Sequence, residues 1–260
     1  MQSDTPQYGA GTVMLVWAAA AVPMGCLGWV VAPALARGTG DDVFVRLAVL
    51  TAGLAWQCAL VALMIYREAH SLRWSVLRAR LWLAGPRSPR TGTTDTRLWW
   101  WLVPVILLTA LFDLRLKPII DHVWVWMLPS LADRHEWSFG SAMATPEARA
   151  QLVGAWGTLG IYVTNAVFNT ILGEELLFRG LLLPRMAGLF PRSDWLVNGI
   201  LFGLYHVHQP WGILSSITHG VLFFALPSRI FRCTWFGIIA HSGQSLYFTF
   251  LIVGVVLGLA

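Results

Sequence analysis

The chain has 260 residues, 57% of them hydrophobic and 12% charged, with a mean hydropathy of +0.63. Soluble domains average about 25% charged residues, so composition argues against an ordinary soluble globular protein and for a helical membrane bundle. The net charge of +5 is carried almost wholly by arginines that fall between apolar runs, not on one basic face; this argues against a nucleic-acid binder and points to membrane orientation.

A spanning helix needs about 20 mostly apolar residues. In chain order, the first is expected over 12–35, with Pro23 and Gly28 inside it, and the second over 43–66. The opening MQSDTPQYGA has no Lys or Arg and lacks the basic start of a cleavable signal. These first 66 residues read as contributing only spans. Residues 67–97 then carry Arg67, Arg73, Arg78, Arg80, Arg87, Arg90 and Arg97 against Glu68 and Asp95. Within them SLRWSVLRARLWL, 71–83, alternates basic and apolar positions at helical spacing, which predicts an interfacial amphipathic helix. A Gly/Pro/Thr loop follows at 85–96.

The third span starts at the Trp99–Trp101 cluster and runs to about 120; Trp suits the headgroup level. Residues 121–150, with Trp124, Trp126, Pro129 and Trp137, read as a partly interfacial loop. The fourth span, 151–173, ends at the glutamates; a polar hinge with Pro184, Arg185, Pro191, Arg192 and Asp194 follows. The fifth, sixth and seventh are expected at 195–208, 211–227 and 234–259, with the basic turn SRIFR at 228–232. The expected fold is all-α: a polytopic transmembrane helical bundle of about seven spans, six to eight. Its parts are 1–97, two spans plus the basic amphipathic segment, and 98–260, with a core at about 150–250. The basic loops 67–97, 179–192 and 228–232 fall on one side, expected to be cytoplasmic in the cell membrane, and 121–150, with Arg134 and Arg149, on the other.

Cys26, Cys58 and Cys233 lie in or beside apolar runs without CxxC spacing, so they read as small buried residues. The chemistry concentrates elsewhere. ILGEELLFRG, 171–180, sets Glu174 and Glu175 beside Arg179. Glu175 and Arg179, four apart, share a helical face and can pair, whereas Glu174 points about 100° away and stays free. A carboxylate in a membrane interior has a partner or a function. LFGLYHVHQP, 201–210, puts Phe202 and His206 on one face, with His208 roughly opposite. IIAHSGQSLYF, 238–248, puts Gln244 and Ser245 within reach of His241. His208 and His219 read as hydrogen-bonded packing residues, and Phe202 as core or pocket wall. Glu174 with His206 could deprotonate a water, and His241 with Ser245 or Gln244 could hold the oxyanion formed when that water attacks a carbonyl. Straight, full-length fourth and fifth spans would leave Glu174 and His206 at different depths, so a site needs the fifth to start deep or tilt.

The ordered set EExxxR (Glu174, Glu175, Arg179), FxxxH (Phe202, His206) and a late His241 resembles the CPBP family, also called the Abi or CAAX-protease and bacteriocin-processing family, over about 150–250. The resemblance implies an intramembrane endopeptidase related to the type 2 CAAX prenyl endopeptidase. Glu174 would activate water with His206, Arg179 would fix Glu175, and His241 would stabilise the oxyanion. The family has Asn or Asp four residues after that histidine; here stands Ser245, which removes an amide donor that Gln244 could replace. Glu174, Glu175, His206 and His241 could supply a zinc site, yet no HExxH occurs. The reading leans to no cofactor, with zinc the alternative. The expected partners are the lipid bilayer and a membrane-embedded or lipid-anchored protein substrate, with no nucleic acid. Another function class is a non-catalytic immunity factor, scaffold or regulator on this scaffold, which Ser245 keeps open. A third, a small transporter with a proton relay, finds no inverted repeat to support it.

Overall fold

The computed structural model describes residues 5–38, 42–132 and 146–259. Helices dominate them, with one isolated bridge between Arg87 and Thr94. We number the helices α1 Ala10–Ala36, α2 Asp42–Ala69, α3 Trp74–Arg80, α4 102–127, α5 Pro146–Leu152, α6 156–186, α7 Asp194–Tyr205, α8 Pro210–Phe231 and α9 Trp235–Val256. One apolar core draws on α1, α2, the residues after α3, α6, α7, α8 and α9. Many outward residues are apolar, among them Leu15, Val30, Leu107, Leu114 and Phe250, as lipid-facing helices require.

The expected spans fall largely on helices, except that the fourth, 151–173, straddles a break at 153–155 and begins properly at 156; among the described residues α1, α2, α8 and α9 alone are long and apolar enough to cross a membrane. The other three fall short for physical reasons. Helix α4 carries Asp113, Arg115, Lys117 and Asp121; in α6 the uncharged stretch 156–173 is made less apolar by Asn165, Asn169 and its Gly and Thr residues, and Glu174, Glu175, Arg179 and Arg185 follow. Helix α7 has 12 residues, a rise of about 18 Å against a hydrocarbon core of about 30 Å. Two boundaries also move. Helix α6 does not stop at 173 but runs through the glutamates to 186, because its charges find partners inside the bundle. Helix α4 continues to Met127, so 121–127 is not loop; residues 133–145, including Arg134 and Trp137, lie outside the described residues. Of the amphipathic stretch 71–83, Trp74–Arg80 is helical, with Arg73 and Arg78 exposed and Leu81 and Leu83 buried in the core.

The first two helices do more than span. Pro23 has no N–H to give, which frees the carbonyl four residues back, and the Trp56 indole donates to that Ala19 oxygen at 2.8 Å. Trp17 donates to the Leu201 carbonyl (2.8 Å) and Trp29 to the Val207 carbonyl (2.7 Å). Buried Arg46 of α2 donates to the carbonyls of Gly28 (2.8 Å) and His208 (2.7 Å). Trp17, Trp29 and Arg46 thus fasten α7 and the turn after it.

At one end of the bundle the basic loops meet. Arg185 grips Glu68 with two hydrogen bonds, 2.7 and 2.6 Å, and Arg80 joins at 3.3 Å. The Phe231 carbonyl accepts from the Arg87 N–H (2.8 Å) and the Leu81 carbonyl from the Thr234 hydroxyl (2.7 Å), while Arg229 pairs with Asp194.

Helix α7 lies against α8 through a small-residue stripe, Gly199 and Gly203, as membrane helices do when backbones must approach closely. A Cβ at Gly199 would stand 2.4 Å from the Val221 nitrogen, and one at Gly203 would stand 2.6 Å from the Ile217 nitrogen. Backbone cannot yield as a side chain can. Gly199→Ala and Gly203→Ala are each expected to lower unfolding stability by about 1–3 kcal/mol and to displace His206; thermal unfolding in detergent and a cleavage assay measure the two effects.

Candidate active site

Helix α6 winds with wider i→i+5 turns on both sides of Glu174 and Glu175, over Phe168–Gly173 and Leu176–Leu182. Such turns rotate side chains off the ordinary helical register and recur at functional sites. Both glutamates and Arg179 are buried. Arg179 Nη1 donates to Glu175 Oε1 at 3.1 Å, and Nη2 donates to the Gly220 carbonyl at 3.2 Å. Its guanidinium carbon stands 4.1 Å from the Phe202 ring centre and 5.2 Å from that of Phe224, within cation–π range.

The second partner of Glu175 comes from α9. His241 Nδ1 lies 3.1 Å from Glu175 Oε1. A carboxylate only accepts, so Nδ1 carries the proton and Nε2 is left for other work. The approach depends on Gly237, where a Cβ would stand 2.3 Å from Glu175 Oε2. The His241 ring stacks on Phe224 with centres 4.8 Å apart and meets Phe202 edge-on at 6.1 Å.

His206 follows α7, its Nδ1 2.9 Å from the Phe202 carbonyl. That contact fixes the neutral tautomer with the proton on Nδ1 and a lone pair on Nε2. His208 is not opposite His206 as the helical spacing predicts. The helix ends at Tyr205, residues 206–208 wind more tightly, and the two rings stack at 5.6 Å.

His206, His219 and His241 line one cavity of about 220 Å³, together with Asn169, Gln244 and Lys117. Phe202 and Phe224 form its apolar wall. Glu174 is not on the wall; it lies behind Asn169. With the Asn169 amide nitrogen turned to the carboxylate, it donates to Oε1 at 2.8 Å and Oε2 at 3.2 Å. From the other side Gln57 donates to the Tyr205 hydroxyl, which in turn bonds Glu174. Ser245 is not among the lining residues; Gln244 is, bonded to Asp113 and 3.1 Å from His219 Nε2.

Several polar residues at the site escape the sequence motifs. His219, read above as packing, is buried but lines the cavity, with Nδ1 on the Ser215 carbonyl (3.1 Å) and Nε2 2.7 Å from Asp113 Oδ1. Asn169 precedes Glu174 by five, a spacing that faces only across a widened turn. Tyr205, Gln57 and Asp113 complete the set; their polarity within apolar runs was the available signal. Among the described residues no three His, Cys, Asp or Glu side chains are grouped so as to hold a metal ion.

Residues 155–259 match the family described as type II CAAX prenyl endopeptidase Rce1-like. This part of the chain is an Rce1-like domain. No curated protein and no solved structure matches the chain. The Rce1-like domain contains Glu174, Glu175, Arg179, Phe202, His206, His241, Gln244 and Ser245, and also Asn169, Tyr205 and His219. The matched family is one of CAAX-type prenyl endopeptidases, and the described residues include four helices long and apolar enough to cross a membrane. Gln57, Asp113 and Lys117 reach the site from outside the domain.

Within the Rce1-like domain, the Glu175–Arg179 pair is fully buried. Removing one partner of such a pair strands the other charge, at a cost of roughly 3–5 kcal/mol. Glu175→Ala is therefore expected to unfold at markedly lower temperature than the parent. Arg179→Met, which leaves Glu175 facing His241 alone, is expected to lose less, as thermal unfolding of both variants would reveal.

Proposed function

We propose that the protein is an intramembrane endopeptidase that hydrolyses a peptide bond of a membrane-anchored or lipid-modified protein. The observation that carries this reading is the single cavity lined by His206 and His241, with the Glu174 carboxylate one residue behind its wall, inside an Rce1-like domain.

The residues divide the work as follows. The His206 Nε2 lone pair accepts a hydrogen bond from a water in the cavity and turns its oxygen lone pair towards the substrate carbonyl. Glu174 takes the proton as that water attacks, once the Asn169 amide swings aside; catalytic hydrogen bonds commonly tighten only with substrate bound. His241 donates from Nε2 to the oxyanion when its ring carries both protons, a charge that the Glu175 carboxylate balances. Glu174 then returns the proton to the leaving amine. Gln244, which lines the cavity, supplies the amide donor that Ser245 lacks once its amide turns from Asp113. The steps as written need only these side chains and a water.

The orientation with basic loops cytoplasmic, and Trp74–Arg80 at the membrane surface, is supported by the contacts that join residues 68–87, 185–194 and 229–234 at one end of the bundle. Substrates enter from lipid, so their reactive bond lies close to an anchor.

Cleavage of a lipid-anchored reporter peptide by the protein in liposomes tests the reading. Glu174→Gln is expected to reduce kcat at least about a hundred-fold, and His241→Ala comparably, with unfolding temperature held as a control. Activity should survive 1,10-phenanthroline. A Glu174→Ala/His206→Ala variant that still confers the protein's cellular phenotype would replace this reading with a binding role.

A further inference from the structure

A separate cavity of about 320 Å³ opens at the end of the bundle where the basic loops meet. It shares no lining residue with the candidate active site. Arg87, Arg192, Arg229 and Arg232 line it against one acid, Asp194. That acid is buried and already committed: Oδ2 accepts from Arg229 Nε, and Oδ1 accepts from the Trp195 N–H at 2.8 Å. Among the described residues no carboxylate pairs with Arg87, Arg192 or Arg232. Three uncompensated guanidinium groups around one concavity repel one another until an anion enters.

The backbone adds an independent observation. Arg232 ends α8 in the left-handed region, φ 46° and ψ 50°, while the Cys233 N–H closes back on the Ser228 carbonyl at 3.0 Å. Glycine is the favoured residue at such a helix end, because any Cβ is crowded there. An arginine held in that strained place brings its charge to the cavity rim, where glycine would bring none.

We propose that this cavity binds a phosphate group. Guanidinium forks match phosphate oxygens two at a time, and three of them surround the space. A lipid headgroup is the source the surroundings favour. Trp195 lines the cavity, and Trp101 packs on Phe231, the residue between the lining residues Ile230 and Arg232, with ring centres 6.3 Å apart. Tryptophan collects at headgroup depth, and basic pockets between helix ends take anionic headgroups.

The test uses the full chain in phosphatidylcholine nanodiscs with and without phosphatidylglycerol, and separately with inorganic phosphate added to phosphatidylcholine discs. Hydrogen exchange over 87–92 and 228–232 reads binding. Protection by phosphatidylglycerol assigns a lipid headgroup; protection by inorganic phosphate assigns a soluble phosphate compound. Arg232→Gly relieves backbone strain, so it should unfold at or above the parent temperature while binding roughly ten-fold more weakly, the loss of one charge-assisted contact. Failure of both probes to protect either segment overturns the proposal, as does Arg232→Gly responding like the parent to the probe that protects it. Neither outcome bears on peptide hydrolysis, since no lining residue is shared.

Discussion

The Arg179 guanidinium has no contact with solvent, and four helices are organised around it. Its own helix supplies the Glu175 carboxylate, α7 supplies the Phe202 ring beneath it, and α8 supplies the Gly220 carbonyl and Phe224. Helix α9 is tied in one step further, because His241 shares the same carboxylate oxygen. A buried charge left alone is expensive, so this arrangement tolerates few alternatives: each of the four helices must be within bonding distance at once. The site residues inherit their positions from that requirement. Phe202 lies one turn before His206, and Phe224 stacks on His241. An arginine suits the centre better than a lysine would, since a flat, delocalised cation can bond in its plane and lie against aromatic faces simultaneously.

This constraint explains why the carboxylates differ. Glu175 faces a fixed cation and an imidazole, and its role is to hold them. Glu174 is adjacent in sequence, but among the described residues the donors that bond it are neutral, the Asn169 amide and the Tyr205 hydroxyl. Neutral hydrogen bonds leave a buried carboxylate able to take a proton without breaking an ion pair. Two adjacent glutamates thus acquire separate chemical characters from their environments.

Much of this was legible. Apolar runs located the helices, the i,i+4 spacing located the Glu175–Arg179 pair, and polar residues inside apolar runs marked where to look. What escaped did so for a geometric reason. Sequence periodicity assumes 100° per residue, yet the wide turns over Phe112–Leu116, Phe168–Gly173 and His219–Ala225 break that register where Asp113, Asn169 and His219 lie. On a regular helix Asn169 would point about 140° away from Glu174; here it covers it. The tight turn after Tyr205 likewise brings His208 onto His206. Span boundaries failed where charges were read as helix ends, because a buried partner such as Glu68 for Arg185 cannot be inferred from local sequence.

The same reasoning changes the standing of the first two helices. They lie outside the Rce1-like segment and by composition are plain spans. Yet the turn carrying His206 is irregular, and irregular backbone inside lipid survives only where its polar groups find partners. Helix α1 gives Trp17 and Trp29 and α2 gives Arg46 to three carbonyls, those of Leu201, Val207 and His208, while Gln57 holds Tyr205. A chain reduced to residues 155–259 would keep every motif residue and lose these donors. The break that ends α7 and fixes the His206 ring is thus bought by side chains a hundred or more residues earlier, so the site belongs to the whole bundle.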